Sequence, residues 1–356
     1  MRKRKDGPAQ NRGRKRWPLC GAILAMIVHF PETIAAADVA AAAPDPATVV
    51  RELGHGINLA DALEAPREGL WGVTLRDDYF AVIEHAGFTT VRLPIRWSAH
   101  PSPTAPFAVD PAFWQRIDWV VAEAKTHHLH AILDFQNYDE LIAHPEQNRE
   151  RFLAIWRQIA EHYRPEPPTI LFELLNEPHH QLDAATWNAL VAQAIAVIRP
   201  TNPSRPIVVG PVSWNKISAL PDLVLPEGDR FLVVTVHYYD PMTFTHQGAP
   251  WERTSLTWLG TRWLGTDADR QAVDHDFDQA MAWASSHHRP MLLGEFGTYE
   301  KGDIESRQRW TQYVARSAEA HGMAWAYWEF CANFGAYDPV LNQWRAPLLE
   351  ALQPNG

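Results

Sequence analysis

The chain has few cysteines, which limits how its fold can be stabilised. It contains two in 356 residues, Cys20 and Cys331. Cys20 lies in an N-terminal segment that resembles a leader peptide, so Cys331 would be alone in a processed chain and could form no intramolecular disulfide. Stability must therefore come mainly from a hydrophobic core, and a chain of this length can bury a large one.

Several other signatures are missing from the sequence. There is no glycine-rich phosphate turn, which disfavours a doubly wound, dinucleotide-binding sheet. No His-x-His pair or cluster of acidic ligands follows a predicted strand, so we predict neither a metal nor a cofactor. Internal repeats and a second-domain linker are also lacking, and this predicts a single folded domain.

The N-terminus has the layout of a signal peptide. Residues 1–16 contain eight Arg and Lys residues, and a short apolar segment at 17–30 precedes an alanine-rich stretch. An uncleaved anchor is the alternative, although the apolar core is shorter than the roughly 20 residues that span a bilayer. We therefore predict a signal peptide and linker at 1–43, cleavage near 37–43, and a catalytic domain at 44–356 that is secreted or periplasmic.

The charge of the chain is uneven. The first 37 residues carry a net charge of +6, which leaves −16 for the rest of a chain whose total is −10. An acidic domain repels the phosphates of nucleic acid, so we expect no nucleic-acid partner. After signal cleavage no other segment is long and apolar enough for stable membrane association. We expect a monomer.

Apolar runs alternate with helical patterns along the chain. The predicted strands cover 55–59, 89–95, 130–135, 169–178, 207–212, 231–239, 291–297 and 323–330. Helices are predicted between them, including 276–288, and a last one at 341–352. Eight such units in about 300 residues are typical of an α/β fold of the (β/α)₈ TIM-barrel type with a single domain. A long connection at 240–268 is predicted to be functional or partly ordered over the cleft.

Two of the predicted strands end in a glutamate. Residues 169–178 read TILFELLNEP, and Pro178 ends the strand because proline cannot donate to a β-ladder. Residues 291–297 read MLLGEFG, with Glu295 near the end. Since the carboxyl ends of barrel strands face one pit, we expect Glu177 and Glu295 to share it.

Polar and aromatic side chains also lie in or near the ends of several predicted strands. The set is Arg92, Gln136, Asn137, Asn176, His237, Tyr239, Trp328 and Glu329. Two glutamates among such groups suit glycosidic cleavage, in which one carboxylic acid protonates the leaving oxygen and one carboxylate attacks or activates water. Arg92 and Tyr239 could keep Glu295 ionised. Asn176 could bind the 2-hydroxyl of the reacting sugar and Trp328 could stack on it. A structural ion pair between the glutamates and Arg92 is the alternative.

At these residues the chain resembles glycoside hydrolase family 5. The matching segments are VRLPI at 91–95, LNEP at 175–178, HYYDP at 237–241, GEFG at 294–297 and YWE at 327–329. The resemblance implies a retaining barrel glycosidase with Glu177 as acid/base and Glu295 as nucleophile. It assigns supporting roles to Arg92, Asn176, His237, Tyr239 and Trp328.

Two further segments resemble the substrate-contacting segments of endo-β-1,4-glucanases in this family. They contain Asp61 and Glu64, and His246 and Trp251. Trp251 is predicted to stack on a sugar, with a role in pinning its loop to the barrel as the alternative. The chain departs from the family pattern at Gln136-Asn137, where members usually carry a histidine pair, and at Asp61, where relatives often have asparagine.

These observations predict a retaining endo-glycosidase that hydrolyses β-1,4-glucosidic bonds in cellulose-type or mixed-linkage β-glucans by double displacement. The expected partner is a β-glucan polysaccharide or oligosaccharide. A β-mannanase or a dual glucanase/mannanase is the alternative. A catalytically silent polysaccharide-binding barrel and a metal-dependent barrel enzyme are further readings of a different class.

Overall fold

Eight short parallel strands form the centre of the structure. A computed structural model describes residues 45–353. Each strand pairs with the next along the chain and the last pairs with the first, which closes a barrel. The strands are β1 (His55–Asn58), β2 (Thr90–Ile95), β3 (His130–Phe135), β4 (Ile170–Glu173), β5 (Ile207–Val209), β6 (Leu232–Tyr238), β7 (Met291–Phe296) and β8 (Ala324–Tyr327).

Helices alternate with these strands. They are α1 (Pro46–Leu53), α2 (Asp77–His85), α3 (Pro111–Thr126), α4 (Asp139–Ala143), α5 (Pro145–His162), α6 (Ala184–Ile198), the single turn α7 (Val212–Asn215), α8 (Met242–Thr245), α9 (Asp267–His287), α10 (Ile304–Ala320) and α11 (Ala346–Leu352). The arrangement confirms the predicted (β/α)₈ barrel. Within 45–353 no helix has the length and apolar character needed to cross a membrane. The predicted signal peptide lies outside the described residues.

Three predictions of local structure need correction. The helix predicted at 276–288 begins earlier, at Asp267, because Thr266 and Asp269 form a capping box. The helix predicted at 341–352 begins at Ala346, because β9 (Tyr337–Asp338) and β10 (Gln343–Trp344) pair as an antiparallel hairpin. Strand β4 ends at Glu173, so Asn176 and Glu177 stand on the segment that follows the strand.

The interior of the barrel has an apolar zone and a charged zone, and the alternation of side chains along the strands explains both. Ile132 of β3 and Leu171 of β4 belong to an inner apolar cluster that α1 joins through Val49, Val50 and Leu53. Their neighbours along each strand face the surrounding helices. Side chains two residues apart lie on the same face of a strand, so Asp134 and Glu173 also point inward, one level closer to the carboxyl ends. The barrel is thus apolar at the α1 end and charged beneath the pit.

Arg205 anchors the opposite end of the barrel from the pit. It is buried, and its guanidinium donates to Asn202 Oδ1 and to four backbone carbonyls, those of Tyr163, Glu166, Pro167 and Ile170. The four carbonyls belong to the end of α5, the loop after it and β4, and Asn202 follows α6. One planar side chain therefore satisfies acceptors that the fold would otherwise bury without partners.

We expect Arg205→Lys to lower the free energy of unfolding by about 2–4 kcal/mol, because an ammonium cannot reach all five acceptors and each one left unpaired costs about 1–3 kcal/mol. Urea unfolding followed by tryptophan fluorescence measures the change. Arg157→Lys, at an exposed position on α5, is the matched control and should stay within about 0.5 kcal/mol of the parent. Equal midpoints for the two variants would contradict the anchoring role.

Candidate active site

Arg92 organises the charged zone of the barrel. Its side chain is fully buried, and Nε and Nη2 donate to the two carboxylate oxygens of Glu173 at 2.7 and 2.8 Å. Nη1 donates to Glu295 Oε1 at 2.7 Å and to Asn58 Oδ1 at 2.9 Å. Because bidentate pairing fixes the plane of a guanidinium, Glu173 orients Arg92, and Arg92 in turn orients Glu295.

Asp134 adds a third carboxyl group around Arg92. Its Oδ2 lies 3.1 Å from Arg92 Nη2, and the side chain is fully buried. Burial raises the pKa of Asp134 well above its ordinary value, and the charges of Glu173 and Glu295 add to the effect while Arg92 opposes it. One guanidinium cannot neutralise three carboxylates in a dry interior, so burial favours the protonated form of Asp134.

A β-bulge positions Glu295. The pairing of β6 with β7 skips Gly294, just before the glutamate. A Cβ at Gly294 would stand 2.4 Å from Thr235 Oγ1, so only glycine fits there. Beyond the bulge, Tyr239 donates its hydroxyl hydrogen to Glu295 Oε2 at 2.9 Å. Both oxygens of Glu295 therefore accept hydrogen bonds, one from Arg92 and one from Tyr239.

Glu177 stands on the segment after β4 with a left-handed backbone, φ 48°. Its side chain is 25% exposed and faces the pit. Burial raises the pKa of Glu177 to about 7, although Arg92, His179 and Lys216 act to lower it. Burial also raises the pKa of Glu295, but His237, Arg92 and the bond from Tyr239 oppose that rise. The two glutamates are therefore in unlike environments: Glu177 has fewer donors and is the better proton holder.

His237 lies between the two glutamates. Asn215 Nδ2 approaches its Nε2 at 3.2 Å, which makes Nε2 the acceptor and leaves the ring proton on Nδ1. That nitrogen lies 2.8 Å from Glu177 Oε1 and 3.5 Å from Glu295 Oε2. Burial lowers the pKa of His237 to about 4. The imidazole is therefore neutral and donates to Glu177.

The separation of the glutamates is short. One oxygen of Glu177, one of Glu295 and a ring nitrogen of His237 all lie within 4.8 Å of one another. Among the described residues this is the group of three whose spacing could accommodate a metal ion. In the tautomer above, however, Nδ1 carries a proton and is not a free ligand. A separation of at most 4.8 Å between the chosen oxygens is closer to the roughly 5–5.5 Å between the carboxyl groups of retaining glycosidases than to the roughly 6.5–9.5 Å of inverting ones.

Aromatic side chains form the wall of the pit on the Glu177 side. A cavity there is lined by Glu177, Trp214, His246 and Trp251. The Trp251 side chain is 58% exposed, and its ring packs against Tyr299 at 5.4 Å and stacks on Phe334 at 6.2 Å. The two roles predicted for Trp251 are therefore compatible: it pins its loop and still offers an open face.

Trp328 is partly buried beside a small apolar cluster of Ala249, Tyr299 and Phe334. Asn176 faces Arg92 and accepts from its Nη2 at 2.9 Å. These two predicted residues lie at the ends of β8 and β4, near Glu295 and Glu177 respectively.

The remaining predicted residues lie on the side of β1, β3 and β8. Gln136 is buried and Asn137 Nδ2 points to the Glu64 carbonyl at 3.5 Å. The carboxylate of Glu64 accepts from the backbone N–H of Asp61 and of Ala62. Glu329 Oε1 accepts from Phe334 N–H at 3.1 Å. Glu64 and Glu329 thus also hold loops, a role that the sequence did not indicate.

Sequence reasoning missed Asn58, Asp134, Glu173, Trp214 and Asn215. Asp134 and Glu173 lie inside apolar runs. Each stands two residues after an inward-facing side chain, Ile132 or Leu171, and this spacing would have predicted that they also face the barrel interior. Trp214 and Asn215 lie in a turn after β5 that the sequence did not single out.

Comparison with known proteins identifies the family. The family model described as cellulase (glycosyl hydrolase family 5) matches residues 52–334. The chain belongs to glycosyl hydrolase family 5. This confirms the resemblance stated above, and with it that the chain is a glycoside hydrolase.

Named relatives in family 5 include endoglucanases. Endoglucanase H of Acetivibrio thermocellus is 34% identical over 296 residues, which are 83% of this chain and 31% of that protein. The chain thus spans about a third of the length of this curated relative. Structures of Thermotoga maritima Cel5A in complex with cellobiose and with mannotriose superpose with a TM-score of 0.85, at 44% and 43% identity, and cover 86% of this chain and 100% of that one.

We expect Tyr239→Phe to raise the pKa of Glu295 by about one unit, because a hydrogen bond to a charged group is worth about 1.5–3 kcal/mol and one pKa unit corresponds to about 1.4 kcal/mol. The lost bond stabilised the ionised form, so the sign is upward. Carbon NMR of enzyme labelled at the glutamate carboxyl carbons measures the titration, with Glu295→Gln providing the assignment.

The control for that measurement is Tyr299→Phe, in the same aromatic cluster but without a described bond to Glu295. This substitution should leave the pKa of Glu295 unchanged. If Glu295 had the same pKa in Tyr239→Phe as in the parent, the hydrogen bond from Tyr239 would not stabilise the ionised form of Glu295.

Proposed function

We propose that the protein is a retaining endo-β-1,4-glucanase in which Glu177 is the acid/base and Glu295 is the nucleophile. The observation that carries the proposal is the pairing of these glutamates within 4.8 Å in unlike environments. Retention requires this short spacing, and unlike environments give two chemically similar groups different tasks. Arg92 and Tyr239 supply the donors that an attacking carboxylate needs.

In the first step Glu295 attacks the anomeric carbon while Glu177 gives its proton to the leaving oxygen. Glu177 Oε1 accepts from His237, so the transferable proton sits on Oε2. With a pKa of about 7, Glu177 holds that proton in weakly acidic solution and loses it as the pH rises through 7. Once the proton has left, the carboxylate of Glu177 becomes the base that activates water in the second step.

The surrounding residues take supporting roles in this proposal. Trp251 and His246 border the leaving-group side with Trp214, and Trp328 stacks on the reacting sugar. Asn176 binds its 2-hydroxyl. Gln136 and Asn137 donate or accept neutral hydrogen bonds where an imidazole pair would titrate. The predicted leader would deliver the enzyme to the compartment in which a β-glucan polymer is met.

A substrate comparison tests the proposal. We expect lichenan and carboxymethyl-cellulose to be cut at internal positions, with mannan cut at least tenfold more slowly. The mannan arm is included because Thermotoga maritima Cel5A has been crystallised with mannotriose. Proton NMR of the first product should show the β-anomer, as retention demands. Early release of the α-anomer would rule out double displacement.

Exchange of each glutamate separates their roles. Glu177→Ala should lose about 10²–10⁴-fold on β-glucan, yet still react with dinitrophenyl cellobioside, whose leaving group needs no proton. Added azide should then speed turnover and yield the β-glycosyl azide. Glu295→Ala should lose both activities, with azide giving the α-glycosyl azide instead.

Glu300→Ala, at an exposed glutamate just after β7, is the control and should react with both substrates at parental rates. If Glu177→Ala and Glu295→Ala gave the same azide anomer, the assignment of acid/base and nucleophile would be wrong.

A further inference from the structure

The cavity on the Glu177 side contains a lysine that has no ionic partner in the described part of the chain. Lys216 directly follows the turn at 213–215 and lines this cavity beside Trp214. The structure describes two other lysines, and both form ion pairs with glutamates: Lys125 with Glu166 at 2.6 Å and Lys301 with Glu300 at 3.0 Å. Lys216 is exposed, and within residues 45–353 no carboxylate oxygen lies within 4.0 Å of its ammonium nitrogen. Its charge is therefore available to a ligand.

The charge of Lys216 acts on the reaction centre. Burial raises the pKa of Glu177 to about 7, and the charge of Lys216 is among those that oppose this rise. Trp214 is 42% exposed, and His179 stacks on its ring with the centroids 4.8 Å apart, which fixes the plane of the indole. A sugar that stacks on the open part of Trp214 therefore shares the cavity with both Glu177 and Lys216.

Two acidic residues also line the cavity, but their charges are directed elsewhere. Glu252 Oε1 accepts from the N–H of Thr254 at 3.2 Å and from its hydroxyl at 3.0 Å, so this carboxylate is turned into its own loop. Burial raises the pKa of Asp276 on α9, and the charge of Asp240 adds to that rise. Asp240 therefore lies near the helical layer. Neither carboxylate is close enough to pair with Lys216.

In the proposed mechanism this cavity receives the leaving-group sugars. Glu177 gives its proton to the leaving oxygen, so the residues around Glu177 border the part of the chain that departs. An ammonium has three donors and no acceptor, and its hydrogen bonds to a carboxylate are charge-assisted, unlike those to a neutral hydroxyl. The chain outside its first 37 residues has a net charge of −16, so Lys216 does not belong to a general basic surface.

We propose that Lys216 binds a carboxylate on a leaving-group sugar, so that the enzyme favours β-1,4-glucan chains that carry a carboxyl group on that side of the cut. Such groups arise by oxidation of the reducing end of a glucan or of its C6 hydroxyls. The inference rests on the proposed function, because the same two glutamates perform the reaction. The reaction itself is unchanged: the bond from the anomeric carbon to the leaving oxygen breaks, water supplies OH to that carbon and H to the oxygen, and the carboxylate takes no part in these steps.

The test uses two modified forms of one oligosaccharide. In cellopentaonic acid the last unit is oxidised to a carboxylate, and in cellopentaitol it is reduced to a neutral alcohol, so that both end in an open chain and differ in charge. Every cut leaves this end on the leaving-group side. At pH 6 and low salt we expect kcat/KM to be at least about threefold higher for the acid, which is the scale of a partly exposed ion pair, and we expect added sodium chloride to reduce this ratio.

Variants of Lys216 assign the preference to its charge. Lys216→Met should bring the ratio of kcat/KM for the acid to that for the alcohol to about one, and Lys216→Glu should invert it, because like charges repel. Lys216→Arg keeps the charge and should retain the preference. Lys125→Met, which removes a lysine charge from α3, is the matched control and should keep the parental ratio. A drop in this control as large as that in Lys216→Met would overturn the inference, because the net charge of the protein would then set the preference.

A polymer distinguishes the two sources of the carboxylate. Lichenan with part of its C6 hydroxyls oxidised offers carboxyl groups along the chain, whereas cellopentaonic acid offers one at the reducing end. A gain over the neutral form that Lys216→Met abolishes would support the inference with either substrate and would identify the source. If neither substrate showed such a gain, the inference would be wrong.

Binding provides a readout that does not depend on turnover. Calorimetry on Glu295→Gln should give a Kd at least about threefold lower for cellopentaonic acid than for cellopentaitol, and adding Lys216→Met should abolish the difference. Thermal melting verifies that both variants fold. Equal binding of the two compounds, together with cleavage of unmodified cellopentaose, would overturn the inference and leave the proposed function intact.

Absence of cleavage of cellopentaose and of both modified forms would instead overturn the proposed function. Calorimetry would then still decide whether Lys216 binds a carboxylate, because that measurement compares two ligands that differ in one charge.

Discussion

The pairing of Arg92 with Glu173 and Glu295 is the interaction on which the site depends. A buried guanidinium is stable only when carboxylates and hydrogen bonds replace its water, and removal of one partner typically costs about 3–5 kcal/mol. Here the replacement comes from three strands, through Asn58, Glu173 and Glu295, and from Asn176 after β4. The buried ion pair and the position of Glu295, the proposed nucleophile, are therefore one feature, because the barrel orients Arg92 and Arg92 orients Glu295.

Unusual backbone conformations position other residues of the candidate site. Glu177 is left-handed, and so are the three consecutive residues Ser213, Trp214 and Asn215, with φ of 63°, 62° and 56°. Such conformations cost about 1–3 kcal/mol each and persist where the surroundings determine them. The turn at 213–215 places Trp214 at the cavity and Asn215 against His237. The strained turn thus positions Trp214 in the aromatic wall and places Asn215 where it fixes the tautomer of His237.

The sequence predicted the barrel, and the closeness of Glu177 and Glu295, because both depend on local patterns. An apolar run that ends in polar residues indicates which end of a strand faces the pit, although β4 itself ends at Glu173, before the proline that was predicted to end it. The sequence could not show which polar residues form hydrogen bonds with loops. Glu64 and Glu329 accept from backbone N–H groups, and these bonds depend on the conformation of the loops. Asp134 and Glu173 escaped notice because their strands are apolar on the other face. The position of Asn215 depends on a turn whose conformation could not be predicted from its residue types.

Most of the carboxyl groups in the pit are not permanent negative charges. Burial favours the protonated form of Asp134, Glu64 and Glu329, and a carboxyl group that keeps its proton is both a donor and an acceptor. Such a group can donate a hydrogen bond to a sugar hydroxyl as well as accept one. Gln136 and Asn137 cannot titrate, so their donors and acceptors stay the same at every pH, whereas those of the carboxyl groups change as the proton is lost.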